Sequence, residues 1–221
     1  MSTAVKKRRG LYSIGEEIFS SVSHGIGALI GIAALVLMVV FAARAHNVYG
    51  VVSGSIYGAT MILLFTMSTL YHAIQAPRAK KVFRVIDHCS IYLLIAGTYT
   101  PVMLCTLRQH GGWAMFGVVW GVSILGIVLN SINLEKFKLI SLISYIVLGW
   151  AVVTMWSPMR AGLPMAGIWL LISGGLVYMV GVIFYCLKKI PYMHSIWHLF
   201  VLGGSVLHFL CILLYVMPVK I

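Results

Sequence analysis

Acidic side chains are nearly missing from this chain. Four Asp and Glu stand against sixteen Lys and Arg, and charged residues are only 9% of 221. With 61% of the residues hydrophobic, that scarcity excludes a soluble domain, because one core of this length cannot hide so much apolar surface. Cysteine is also scarce. Cys89, Cys105, Cys186 and Cys211 have no CxxC spacing and fall in or at the ends of apolar runs, which argues for buried small residues over a disulfide or a cysteine metal site. No internal repeat is visible. The basic cluster Lys6-Lys7-Arg8-Arg9 lacks a short apolar core and small-residue cleavage site behind it, so the segment reads as leading into a retained first span, not as a signal peptide. A net charge of +12 without a compact basic patch excludes a nucleic-acid reading.

What is present is a series of long apolar runs. A span needs about 20 predominantly apolar residues, and on that criterion seven are expected, near 18–43, 51–74, 87–107, 113–133, 139–157, 165–187 and 194–217. The fold class expected is all-α: one seven-helix transmembrane domain over 1–221, with a short basic segment over about 1–15. Twelve Lys and Arg fall at the N-terminus and in the even-numbered connections, against Arg44, Arg108, Arg160 and Lys220 on the other side. That asymmetry puts the N-terminus in the cytoplasm and the C-terminus outside, the inverse of the rhodopsin-like arrangement. No Lys lies inside the last span, which excludes a retinal Schiff base there.

The last span opens with Pro191-Tyr-Met-His194-Ser-Ile-Trp-His198. Two histidines four apart share one helix face and make a ready pair of metal ligands. The Glu that comes directly after the first His of a zinc-protease helix is absent. Ionisable residues inside membrane helices are costly and suggest function. Besides this pair, the spans carry Glu16-Glu17 and His24 in the first, Ser68 and His72 at the end of the second, and Asp87-His88 at the start of the third. Alternating orientation puts Glu17, His72, Asp87, His194 and His198 at one depth near the cytoplasmic face.

Three histidines leave an open position in a tetrahedral zinc shell, the mark of a catalytic site. His72, His194 and His198 are the candidates, with Asp87 near the fourth position and Ser68 one turn from His72. Glu17 and His24 either support the ligands, form part of a polar path, or make plain hydrogen bonds to neighbouring helices. His88 points about 100° from Asp87 and reads as packing or interfacial. His208, ten residues beyond His198, reads as lying on another face; His46 and His110 read as solvated, and Glu135 as an ordinary loop residue. Gly27/Gly31, Gly54/Gly58, Gly117/Gly121 and Gly203-Gly204-Ser205 read as sites of close helix packing. Tyr12, Tyr49, Tyr71, Trp113, Trp156, Trp169, Tyr185 and Tyr192 read as interfacial anchors.

The ordered set Glu16-Glu-Ile-Phe-Ser-Ser-Val-Ser-His24-Gly, Ser68-Thr-Leu-Tyr-His72, Asp87-His-Cys-Ser-Ile-Tyr-Leu-Leu-Ile-Ala-Gly-Thr-Tyr-Thr-Pro101 and Lys188 to His198 resembles the bacterial hemolysin III group of the progestin and adipoQ receptor family, over nearly the whole chain. Ser20 departs from it where relatives often have Asn. The resemblance implies a seven-helix bundle with Zn²⁺ held by His72, His194 and His198 near the cytoplasmic leaflet of a bacterial inner membrane, with Asp87 and Ser68 in the positions of the family's Asp and Ser. It also implies a role in membrane homeostasis, with a membrane lipid as substrate or ligand. Three functions stay open: a zinc hydrolase of a lipid amide or ester, a zinc-stabilised sensor or receptor of bilayer state, and a pore-forming hemolysin. Polar residues are sparse in the outer halves of the spans, which disfavours the pore.

Overall fold

Residues Ser13 and Glu16 cap each other at the entry of the first helix. The Glu16 amide donates to Ser13 Oγ over 3.3 Å and the Ser13 amide to Glu16 Oε2 over 2.8 Å. From there the computed structural model describes residues 12–187 and 189–218; the cluster Lys6-Lys7-Arg8-Arg9, Lys188 and Lys220 lie outside the described residues. The described residues form seven α-helices: α1 (Ile14–Arg44), α2 (Val48–Ala73), α3 (Pro77–Pro101), α4 (Trp113–Trp150), the short α5 (Trp156–Gly162), α6 (Met165–Cys186) and α7 (Met193–Cys211). Asn47 caps α2 by accepting from the Gly50 amide over 2.6 Å, and Pro77 opens α3 where its missing N–H costs nothing. Helix α3 therefore starts ten residues before the expected span and carries Arg78, Lys80, Lys81 and Arg84 on its first turns. No strand occurs among the described residues.

Apolar side chains face outwards. Ile18, Val22, Ile26 and Leu29 of α1 are exposed while Glu17, Ser20 and His24 are buried, the reverse of a helix on a water-soluble core. Among the described residues, six helical stretches are long and apolar enough to cross a membrane, one of them the 55 residues of Arg108–Gly162. At 1.5 Å per residue that stretch would be about 80 Å long, more than twice a bilayer's hydrocarbon thickness of about 30 Å.

The stretch is broken at Asn133, whose backbone is extended (φ −160°, ψ 94°) and whose Oδ1 accepts from the Lys136 amide over 3.0 Å, capping the helical arm that begins at Leu134. Contacts with α3 give the direction of each arm. Cys89 lies by Ser131 and Thr100 by Trp120, so the first arm (113–132) runs antiparallel to α3. The Tyr145 hydroxyl donates to the His88 carbonyl and the Tyr99 hydroxyl to the Leu148 carbonyl, so the second arm (134–150) runs parallel to it. The chain reverses at Asn133, and Asn130 bonded to both Ser141 and Tyr145 holds the hairpin shut. The loop expected over 134–138 is helical instead, since one capped residue suffices for the turn. Glu135, read as an ordinary loop residue, pairs with Arg84 and ties this reversal to α3.

Close packing occurs where the small residues touch another helix. A Cβ on Gly27 would lie 2.6 Å from the Phe65 ring, and one on Gly31 3.3 Å from the Ile62 amide nitrogen, so α1 and α2 approach through these glycines. Gly117 and Gly121 meet nothing within 4 Å, and the packing expectation fails there. Cys89 and Cys211 are buried as expected, but Cys186 is exposed at the end of α6.

Candidate metal centre

Topology delivers the polar residues to one end of the bundle. Ser21 meets Thr69 across the antiparallel α1 and α2, and Ser20 meets Ser195 across the parallel α1 and α7. His72 in the last turn of α2 thereby faces His194 and His198 in the first turns of α7, with Glu17 of α1 behind them. Tyr192, in the left-handed region at φ 64°, turns the chain into α7.

Each imidazole is aimed by a neighbour. His72 Nδ1 donates to Glu17 Oε2 over 2.7 Å, and Glu17 Oε1 pairs with Lys80 Nζ over 2.9 Å. A carboxylate on Nδ1 fixes the proton there and leaves Nε2 with a lone pair. That Nε2 is buried without a hydrogen-bond partner. His194 Nε2 and His198 Nε2 are 3.2 Å apart, and one nitrogen from each of the three histidines falls within 4.8 Å of the others. Two ring nitrogens at that separation share either a proton or a cation. Zn–N bonds of about 2.1 Å put tetrahedral ligand atoms roughly 3.4 Å apart, and the orphaned Nε2 of the buried His72 adds a third imidazole donor to those of the buried His198 and the half-buried His194. The residues fit a metal ion.

Behind this set the helices are laced together. His24 stacks on His198 at 3.7 Å and its Nε2 donates to the His198 carbonyl over 3.3 Å. Ser195 donates to the Glu16 carbonyl, and the Tyr192 amide to Glu16 Oε1 over 2.8 Å. Ser20 makes a hydrogen bond of 3.0 Å to Ser195. The structure thus brings Glu17 against His72 and His24 against His198. Lys80 and Ser195 do not stand out in the sequence, because a lysine beside a span reads as an orienting charge and a serine as packing. Tyr12, read as an anchor, stacks its ring on His194 at 4.6 Å.

Asp87 and Ser68 line a cavity of about 140 Å³ together with His24, His194 and His198. Asp87 is not in the three-histidine group. Ser68 Oγ is buried without a partner, and Asp87 Oδ2 is 3.6 Å from His88 Nδ1. His88 also borders this cavity, and its Nδ1 donates to the Arg84 carbonyl. The remaining wall is apolar, from α3, the second arm of α4, and α6; the last two touch each other sparsely. A second cavity of about 160 Å³ shares Tyr99, Gly149, Trp150 and His208 with the first and continues it away from the histidines. His208, expected on another face, lines both and bonds the Leu171 carbonyl through Nε2. Ten residues turn a helix side chain by only about 80° net, too little to leave a cavity bounded by both α3 and α6.

A family profile described as Haemolysin-III related matches residues 12–209. The chain is 42% identical to Hemolysin-3 of Bacillus cereus over 96% of its own length and 97% of that protein's. It is 44% identical to the Hemolysin-3 homolog of Bacillus subtilis (strain 168), over 95% and 98%. It is also 31% identical to the human Monocyte to macrophage differentiation factor, over 72% and 68%. No solved structure matches it.

Proposed function

The chain belongs to the haemolysin III family of multi-pass membrane proteins, and from that premise we propose that it is a zinc-dependent hydrolase of a membrane lipid amide or ester, acting in membrane lipid homeostasis. The observation that carries this reading is one cavity lined by two of the three histidines, His194 and His198, and also by Asp87 and by Ser68, whose buried hydroxyl has no partner. The two arms of α4 make two crossings, so the single domain crosses seven times. With the basic residues of 78–84 in the cytoplasm, the site faces the inner leaflet of the bacterial cell membrane and the C-terminus lies outside.

Zinc, when bound, supplies the Lewis acidity that makes water a nucleophile near neutral pH. His72, His194 and His198 hold it, with Glu17 fixing the proton of His72 on Nδ1. Asp87 accepts the proton of the attacking water and returns it to the leaving amine or alcohol. Ser68 donates its unpartnered hydroxyl to the oxygen on which charge develops. The apolar walls seat the lipid chain and exclude bulk water.

A second reading is favoured by one feature: the three ligands join α2 to α7, so zinc serves as a clasp in a sensor of bilayer state. Asp87→Asn separates the two. On the hydrolase reading this variant binds zinc within about 10–100-fold of wild type but loses about 100- to 10,000-fold in turnover. Full complementation of a deletion strain by zinc-loaded Asp87→Asn protein leaves the clasp as the function. Topology is checked by reporters after Arg160 and within 78–84; both on one side of the membrane would overturn the seven crossings.

A further inference from the structure

We propose that Tyr12 is the cover of the metal centre on its solvent side, a positioning residue that holds His194 in place and limits exchange of the ion with water. The inference rests on the metal reading above. Tyr12 stands outside α1, one residue before its cap, yet its ring lies nearly parallel to His194 (centroids 4.6 Å, 15°) and tilts over His72 at 5.7 Å. It therefore covers two of the three ligand rings, from the two helices the metal would join. Tyr185 flanks His194 at 6.3 Å.

The segment carrying this ring is anchored, not loosely draped. Ser13 and Glu16 bond reciprocally, Glu16 Oε1 also accepts from the Tyr192 amide, and the Glu16 carbonyl accepts from Ser195. Gly15 lets the Tyr192 hydroxyl come so near that a Cβ there would lie 2.5 Å from it. The N-terminal turn of α1 and the entry of α7 are thus one unit, and Tyr12 is seated on it over the histidines. The residue offers a neutral flat face, with stacking as its means of attachment.

The geometry makes a distinction that a merely structural tyrosine would not. If the ring is the cover, phenylalanine should replace it and a small side chain should not. The full chain in detergent is loaded with zinc, its metal content is measured, and transfer to an excess of the water-soluble chelator pyridylazoresorcinol is timed. Tyr12→Ala is expected to carry zinc but release it about tenfold faster, as loss of an aromatic contact raises the open population. Tyr12→Phe is expected within about twofold of wild type on the same ground. Tyr12→Leu keeps apolar bulk without a flat face; it is expected to release faster than Tyr12→Phe and answers the question if Tyr12→Ala does not accumulate. Release from Tyr12→Ala or Tyr12→Leu at the wild-type rate overturns the cover and leaves the metal centre standing, as does Tyr12→Phe releasing as fast as Tyr12→Ala. A wild-type chain that cannot be loaded overturns both.

Discussion

The two walls of the central cavity are held by different forces. On the α1, α2 and α7 side, helices approach through glycine, and buried polar atoms are linked in a chain from Lys80 through Glu17 to His72. His24 backs His198 there by stacking and by a hydrogen bond. On the side of α3, the second arm of α4, and α6, the surface is apolar, with Asp87 of α3 lining it; Ser68, on α2, borders the same cavity with its hydroxyl unpartnered. The contrast suggests a division of labour. A metal needs ligands fixed to a fraction of an ångström, whereas a lipid chain needs room. On the proposed reading the histidine wall would hold the ion, and the opposite wall would leave room for the lipid chain.

The largest effect comes from emptying the rigid wall. His194→Ala/His198→Ala removes two of three ligands and should abolish zinc binding, with a clear fall in the unfolding temperature measured with metal present, since ion binding adds directly to the stability of the state that binds it. Metal analysis of the purified double variant decides the matter. Full zinc occupancy would move the ion to some other set of groups, and the division between the walls would go with it.

A smaller effect comes from loosening that wall without touching a ligand. Glu17→Gln keeps the shape of the side chain but takes the negative charge from between His72 Nδ1 and Lys80 Nζ. Zinc affinity should fall about 10–100-fold, as when an outer partner of a ligating histidine is removed. Competition with a chelator of known affinity measures this. Unchanged affinity would mean that Glu17 serves Lys80 and the α2–α3 corner, not the histidine.

The candidate ligands themselves are legible in the sequence. His194 and His198 show helical spacing, and the alternation of Lys and Arg leads one to expect His72 and Asp87 at their depth. What spacing cannot reveal is whatever depends on the chain leaving a regular helix. Asn133 reverses the chain in one residue, so the helix edges expected around 133 and 139 are displaced. Tyr12 precedes the first helix, where an aromatic has no periodicity to show which way it faces. Lys80 illustrates a second limit. Its charge counts towards orientation, and the same ammonium also pairs with Glu17, a contact set by the angle between α1 and α3 that no spacing encodes. His208 shows a third, since an angular argument on one helix says nothing of how wide the neighbouring cavity is.

The smallest effect tests whether the rigidity of the histidine wall resides in its backbone packing. Gly27→Ala and Gly117→Ala make the same chemical change in two helix interiors. At Gly27 the new methyl would stand 2.6 Å from the fully buried Phe65 ring, so α1 and α2 have to part or the ring has to move. Overpacking of this kind costs about 1–3 kcal/mol. At Gly117 the methyl meets nothing within 4 Å, and only the helix preference for alanine remains, about 0.5–1 kcal/mol in favour of the variant. Gly27→Ala should therefore unfold at a lower temperature than the wild type in the same detergent, and Gly117→Ala at an equal or slightly higher one. Zinc affinity should show the same order, because Glu17 and His72 lie on the two helices that Gly27 keeps together. Two variants with indistinguishable unfolding temperatures would show that the α1–α2 contact yields easily, leaving the Glu17–His72 hydrogen bond to hold the ligand in place.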